Sequence, residues 1–243
     1  MVVWHRGGVN DVERPFVQLR SAVARGDGSA VVAVIPELAL GDVAQLAGEG
    51  LLIALAQGSP GAKELTGACL QALGERGWEG DDDLAAQLTA ALGDAPPPAL
   101  RAVPVDLEEL SWILEGDGTS GDGRLDLLTG EVWSDSAIEN AEEFPDVDDS
   151  ERWLYVGCEG SHEGYRDMED FLATVEDDER ADKLSIAVSG PGAFRRFRDV
   201  LERWPEDQWR FYAFTEERRR ARARSWLVSA GVAAVPPALA RTT

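Results

Sequence analysis

Three residue types that build reactive or cross-linked sites are scarce in this 243-residue chain. Cysteine occurs only as Cys69 and Cys158, histidine only as His5 and His162, and lysine only as Lys63 and Lys183. No cluster with zinc-type spacing can be drawn from two cysteines and two histidines, so no metal is expected. A disulfide framework is equally excluded, and the thiol usage fits a reducing, cytoplasmic setting. Long apolar runs are missing too. The longest, AVVAVIPELAL at 30–40, is cut by Pro36 and Glu37, well short of the roughly 20 residues a membrane helix needs. The opening MVVWHRGGVNDVERPF has no apolar stretch behind a basic leader, so neither a membrane span nor a secretory signal is expected.

Basic charge of any kind is in deficit. Lysine and arginine total 23 against 45 acids, for a net charge of −22, and the deficit is uneven. Residues 106–178 hold 3 basic and 24 acidic side chains, whereas residues 179–243 hold 13 and 8. An acidic surface repels nucleic-acid phosphates and anionic lipid, so neither is expected as a partner. The favoured reading is that the basic C-terminal helices pair with the acidic middle inside the fold. EERRRARARSW at 216–226 fits that reading: its five arginines spread around the whole helix instead of forming one stripe, and Arg220 has Glu216 four residues before it.

Proline marks the organisation. GDAPPPALRAVP at 93–104 stops any helix and removes backbone donors, which predicts a helical domain over 1–95, a Pro-rich linker over 96–104, a mixed module over 105–232 and a tail over 233–243. Before the prolines, PFVQLRSAVARGD, GDVAQLAGEGLLIALAQG, PGAKELTGACLQALGERGW and DDDLAAQLTAALGD read as short helices punctuated by glycine. After them, DLEELSWILEGDG is a capped amphipathic helix, GRLDLLTGEVW a hairpin and RWLYVG a third strand. Helices over 161–175, 191–204 and 206–228 would cover that sheet. The expected class is α+β: an all-α N-terminal domain, then a small antiparallel sheet covered by helices.

Two apparent motifs fail on spacing. GSPGAK at 58–63 has Ala62 where a phosphate loop needs lysine, and the calcium-like loop from Asp117 has Leu128 where the twelfth-position glutamate belongs. No cofactor motif is present, so none is expected. Cys158 and His162 stand four apart, but no third group is there to orient a thiol–imidazole pair, and Cys158 reads as the end of a strand. His162, Glu163, Arg166 and Asp167, at the start of one helix, form a second-rank candidate group.

SGPGAFRRFRDVLERW at 189–204 is the first-rank candidate. Phe194, Phe197, Val200, Leu201 and Trp204 form a core-facing stripe, and Arg195 has Asp199 as a local partner. Arg196 has no acid four residues away, its neighbours there being Gly192 and Val200. It stands in the first turn of a helix opened by Gly192, where free N–H groups also want an acceptor. Arg195, Arg196 and Gly192 are therefore anion-binding candidates, the anion being either a carboxylate of the chain or a phosphate or carboxylate ligand.

GRLDLLTGEV, GYRDMEDFLATV, GAFRRFRDVLERW and ARSWLVSAGV resemble segments of a bacterial uncharacterised protein family, number one-five-eight, over roughly 106–231. The resemblance implies a compact α+β module with the GAFRRF helix as its best-marked element, and no activity. The functional expectation is a non-catalytic binding or regulatory module for a protein partner or a small anionic ligand. The competing reading is a hydrolase or transferase acting on a phosphorylated small molecule, with Arg195 and Arg196 holding phosphate and Glu163 or Asp167 moving protons.

Overall fold

The computed structural model describes residues 13–116, 121–141 and 149–240. The start of the chain, with His5, and the tip of the calcium-like loop lie outside the described residues.

The N-terminal part is helical, as its periodicity predicts. Helices α1 (Glu13–Arg25), α2 (Gly28–Val34), α3 (Leu40–Ala56), α4 (Ala62–Arg76) and α5 (Asp81–Leu92) enclose Leu19, Leu46, Leu73, Leu84 and Leu88, none more than 1% exposed. Truncating any one of these leucines to alanine is expected to cost about 2–5 kcal/mol. Cys69 lies in the same core, where burial and the Glu217 carboxylate push its thiol up to about 12. An unreactive, structural cysteine results.

The mixed part carries both expected sheet elements. Strand β2 (Gly123–Asp126) pairs antiparallel with β3 (Val132–Ser134) on one side and β4 (Trp153–Val156) on the other, giving the order β3-β2-β4. Asp126 closes the hairpin: its carboxylate accepts from the Leu128 and Thr129 amides and from Arg152 at 2.7 Å. Helix α6 (Leu107–Leu114) is capped by the Asp106 carboxylate and packs Leu107, Leu110, Ile113 and Leu114 against the sheet. A short helix, α7 (Asp135–Glu139), follows β3 inside the stretch expected as an acidic loop.

Four helices, not three, accompany the sheet: α8 (His162–Leu172), α9 (Asp178–Val188), α10 (Ala193–Leu201) and α11 (Pro205–Ser229). Helix α9 is the one its sequence concealed. Its N-cap, Asp177, sits among four other acids in EDDERAD, and only Leu184, Ala187 and Val188 are buried. Phe194 departs from the expected core stripe. It is 42% exposed against Gly164, while Phe197 and Leu201 are buried.

The proline-rich segment is not a bare linker. Residues 101–103 form β1 (Arg101–Val103), which runs parallel to β5 (Val232–Ala234), and α12 (Pro237–Ala240) returns from β5 to lie against Gly26. Helix α11 crosses the same boundary. Its Trp209 and Ala213 pack into the N-terminal helical core, while its Ala223 and Leu227 belong to the sheet core. Helix α12 and the longest helix, α11, thus both reach the N-terminal helices from beyond 96–104.

The crossing is ionic as well as apolar. Helix α3 breaks at Val43 (φ −139°), which frees the amides of the next turn. The fully buried Glu217 of α11 accepts from two of them, Gln45 at 2.7 Å and Leu46 at 2.9 Å, and also from Arg76. Arg76 in turn holds Asp81, and Arg224, 1% exposed, reaches Gln45, Gln87 and Glu49. Where α11 passes the α4–α5 turn the backbones touch. A Cβ on Gly80 would fall 2.0 Å from the Ala221 carbonyl oxygen, and Gly80 has φ +79° besides. Only glycine fits there.

Candidate functional site

The arginine helix that led the sequence reading does not hold an acid. Arg196 directs its guanidinium back over the preceding turn. It donates to the Ala187, Ser189 and Gly190 carbonyls at 3.3, 2.6 and 3.1 Å, and to Pro191. The physical reason is α9. Its last carbonyls have no intrahelical partner and carry the negative end of the helix dipole, and the chain reverses there through Gly190 and Gly192, both at positive φ. The expectation of a carboxylate partner for Arg196 is therefore corrected: the acceptors are main-chain oxygens. Arg195 is exposed, with Asp199 at 3.9 Å, and Gly192 serves as the left-handed N-cap of α10.

The second-rank group behaves differently, because α8 lies along α11. Asp167, fully buried, accepts from Arg218 at 3.1 Å and from both terminal nitrogens of Arg222 at 3.0 and 2.8 Å. Arg222 also forms a fork with Glu115 at the end of α6, at 2.6 and 2.9 Å. Burial acts to lower the Arg222 pKa, but these two carboxylates outweigh it and the guanidinium is raised above its ordinary value. Glu163 pairs with Arg166 at 2.6 Å, and His162 opens the helix exposed to solvent.

Above this buried pair opens a cleft of about 290 Å³. Its walls come from α6 (Leu114, Glu115), the β4–α8 turn (Glu159), α8 (Glu163, Arg166) and α11 (Arg222, Ser225, Trp226, Ser229), and the α4–α5 turn contributes Glu79. A smaller hollow continues from it past Trp78 and Arg218. Trp78 is held between the Arg76 and Arg218 guanidinium groups at 4.0 and 5.2 Å from its ring. Together with the Gly80–Ala221 contact, that clamp fixes the turn carrying Glu79. In the β4–α8 turn the Glu159 amide donates to the Leu114 carbonyl at 2.8 Å.

The structure thus brings Glu163 and Arg166 to the cleft, places Asp167 beneath it, and leaves Arg195, Arg196 and Gly192 on a different helix. Leu114, Glu115, Arg222 and Trp226 were not foreseen as a group. The available signal was the spacing of Arg218 and Arg222, four apart on α11, which matches one buried acid on a neighbouring helix.

Cys158 does not meet His162 in a reactive pair. Its amide donates to Asp122 at 2.9 Å and its thiol faces the Gly116 carbonyl at 3.7 Å. The Cys158 amide and the Tyr155 hydroxyl together hold the Asp122 carboxyl below its usual range. Among the described residues, no group of three or more histidines, cysteines or acids is placed to hold a metal, and no helix is long and apolar enough to cross a membrane.

These features define an α+β protein in which an acidic cleft is built on an arginine-rich helix. The model of the Uncharacterised protein family (UPF0158) matches residues 107–236, and the chain belongs to that family. It is similar to UPF0158 protein PA5073 of Pseudomonas aeruginosa, at 30% identity over 135 residues that make up 53% of this chain and 84% of that protein. No solved structure matches. The matched segment begins with α6, so Glu79 and the N-terminal helices lie outside it.

Proposed function

We propose that the protein is a non-catalytic binding or regulatory module, working in the cytoplasm, with the cleft between α6, α8 and α11 as its binding surface. The observation that carries this reading is the state of Asp167. A general acid or base must exchange a proton with its substrate. Both oxygens of Asp167 are instead occupied by Arg218 and Arg222 at the buried base of the cleft. Glu163, the other acid weighed for proton transfer, is paired with Arg166 at the rim. The side chains at the base brace three helices against one another, and the face left open offers shape and charge to a partner.

The arginines of α11 support the same reading against nucleic acid. Arg218, Arg219, Arg220, Arg222 and Arg224 all face carboxylates of the chain within 3.4 Å. Phosphate contacts would have to compete with partners already in place.

The test is a panel of phosphorylated and cationic metabolites followed by NMR on protein with labelled indoles. Binding that moves the Trp226 indole resonance, with the ligand recovered unchanged, is the expected result. Conversion of any panel member to product, abolished by Asp167→Asn or Glu163→Gln, would overturn the reading in favour of an enzyme.

A further inference from the structure

We infer that the cleft takes an alkyl guanidinium or ammonium group, laid along Trp226 with its charge between Glu79 and Glu159. The inference rests on the binding reading above and adds to it the chemistry of the ligand. Shape comes first: the cleft has a volume of about 290 Å³, and Leu114 and Trp226 give it an apolar surface on which a short alkyl chain or a planar cation can lie. The state of the charged groups decides the sign. Of the two guanidinium groups in the lining, Arg222 is held by Glu115 and Asp167, and Arg166, largely exposed, is paired with Glu163 through one nitrogen. An anion entering the cleft would meet four carboxylates against two guanidinium groups that are each already paired with an acid.

A cation meets the opposite situation. Among the described residues the exposed Glu79 and Glu159 side chains form no hydrogen bond or ion pair, and both line the cleft. Neither carboxylate stands on a loose segment. Glu79 is carried on the turn clamped by Trp78 and Gly80 against α11, and Glu159 on a turn tied to Leu114. A guanidinium presents donors on two edges, which suits two carboxylates lining one cleft. Glu79 comes from outside the family segment, so the N-terminal helices complete this site. The same chemistry can arrive free or on an arginine side chain of a partner protein.

The experiment titrates full-length protein with n-butylguanidinium, with an acetylated and amidated Gly-Arg-Gly peptide, and with inorganic phosphate, following the Trp226 indole resonance. Both guanidinium probes are expected to give saturable shifts that weaken with added salt, and phosphate none. Glu79→Gln and Glu159→Gln should each weaken binding about five-fold, the scale of one solvent-facing charge-assisted contact. Arg195→Ala, on a different helix, should leave it unchanged. Tighter binding of the peptide than of n-butylguanidinium assigns the site to a protein partner, and the reverse order assigns it to a free metabolite. Absence of any guanidinium-dependent shift, or a shift that both glutamine variants leave intact, overturns the inference. If phosphate moves Trp226 in place of the cations, the cation assignment falls while the binding reading stands.

Discussion

Arg76 at the end of α4 and Glu217 in the middle of α11 meet at 3.0 Å, 141 residues apart in the chain, with side chains only 7% and 1% exposed. Each also serves another group: Arg76 holds Asp81 at 2.7 Å, and Glu217 caps the interrupted α3. Arg76→Ala would leave two buried carboxylates without their shared cation, and a loss of about 3–5 kcal/mol is expected. Urea unfolding of the variant checks this. A change below about 1 kcal/mol, the size of an exposed pair, would mean the pair is solvated in solution.

The same contacts decide whether the family module stands alone. A fragment beginning near Leu100 keeps the sheet but strips the N-terminal helices from Glu217 and Arg224, whose partners include Gln45, Glu49, Arg76 and Gln87. Buried charges left in that way lose both solvent and partner. The fragment is expected to lack a cooperative thermal transition by circular dichroism. A sharp transition near that of the full chain would show instead that the proline-rich segment separates two autonomous domains.

Arg196 should behave as a clasp on the end of α9. Arg196→Lys keeps the charge but cannot span four carbonyls, and a loss of about 1–2 kcal/mol is expected from the hydrogen bonds forgone. Phosphate should stabilise the wild type and this variant equally. An Arg196→Ala protein with unchanged stability, and with a phosphate-dependent rise in melting temperature abolished, would restore the anion-site reading.

Asp126 supplies a pH dependence of definite sign. Burial pushes its carboxyl up, but Arg152 and the Leu128 and Thr129 amides outweigh that and hold it below the usual range. A folded-state value below the unfolded one contributes stability above the unfolded pKa, and that contribution disappears as pH falls through the folded value. Asp126→Asn should therefore lower stability by about 2–3 kcal/mol at neutral pH. The gap to the wild type should close on acidification below the ordinary carboxylate range. A gap that stays constant down to strongly acid pH would show that the carboxylate's charge is not what holds the turn.

Local rules made the helices of the first half, the hairpin and the third strand legible, because each has apolar periodicity bounded by glycine, proline or a capping acid. Asp106 before Leu107 and the glycines at 77, 80 and 93 are such signals. Helix α9 escaped because its first half is acidic and its buried face, Leu184, Ala187 and Val188, is little more than a single turn wide. That omission also hid the partner of Arg196, since an arginine can be satisfied by a helix end that no side-chain pairing rule detects. The cleft was half legible: Glu163, Arg166 and Asp167 share one helix and were grouped, whereas Glu115, Glu159 and Trp226 reach them only through tertiary packing. The parallel pairing of β1 with β5 joins residues about 130 positions apart, and three-residue strands leave no periodicity to read.

Helix α11 also sets an order of events during synthesis. The first five helices emerge from the ribosome early, but the side chains that close their core and cap α3, from Trp209 to Glu217, are made more than 100 residues later. Until then the apolar faces of α1, α3 and α4 and the free amides after Val43 stand open to other chains. At about 5–20 residues per second that interval lasts several seconds at least, long enough for an incomplete bundle to aggregate or to need a chaperone. Slowing or stalling translation between α5 and α11 should therefore harm this protein more than the same pause placed before α1.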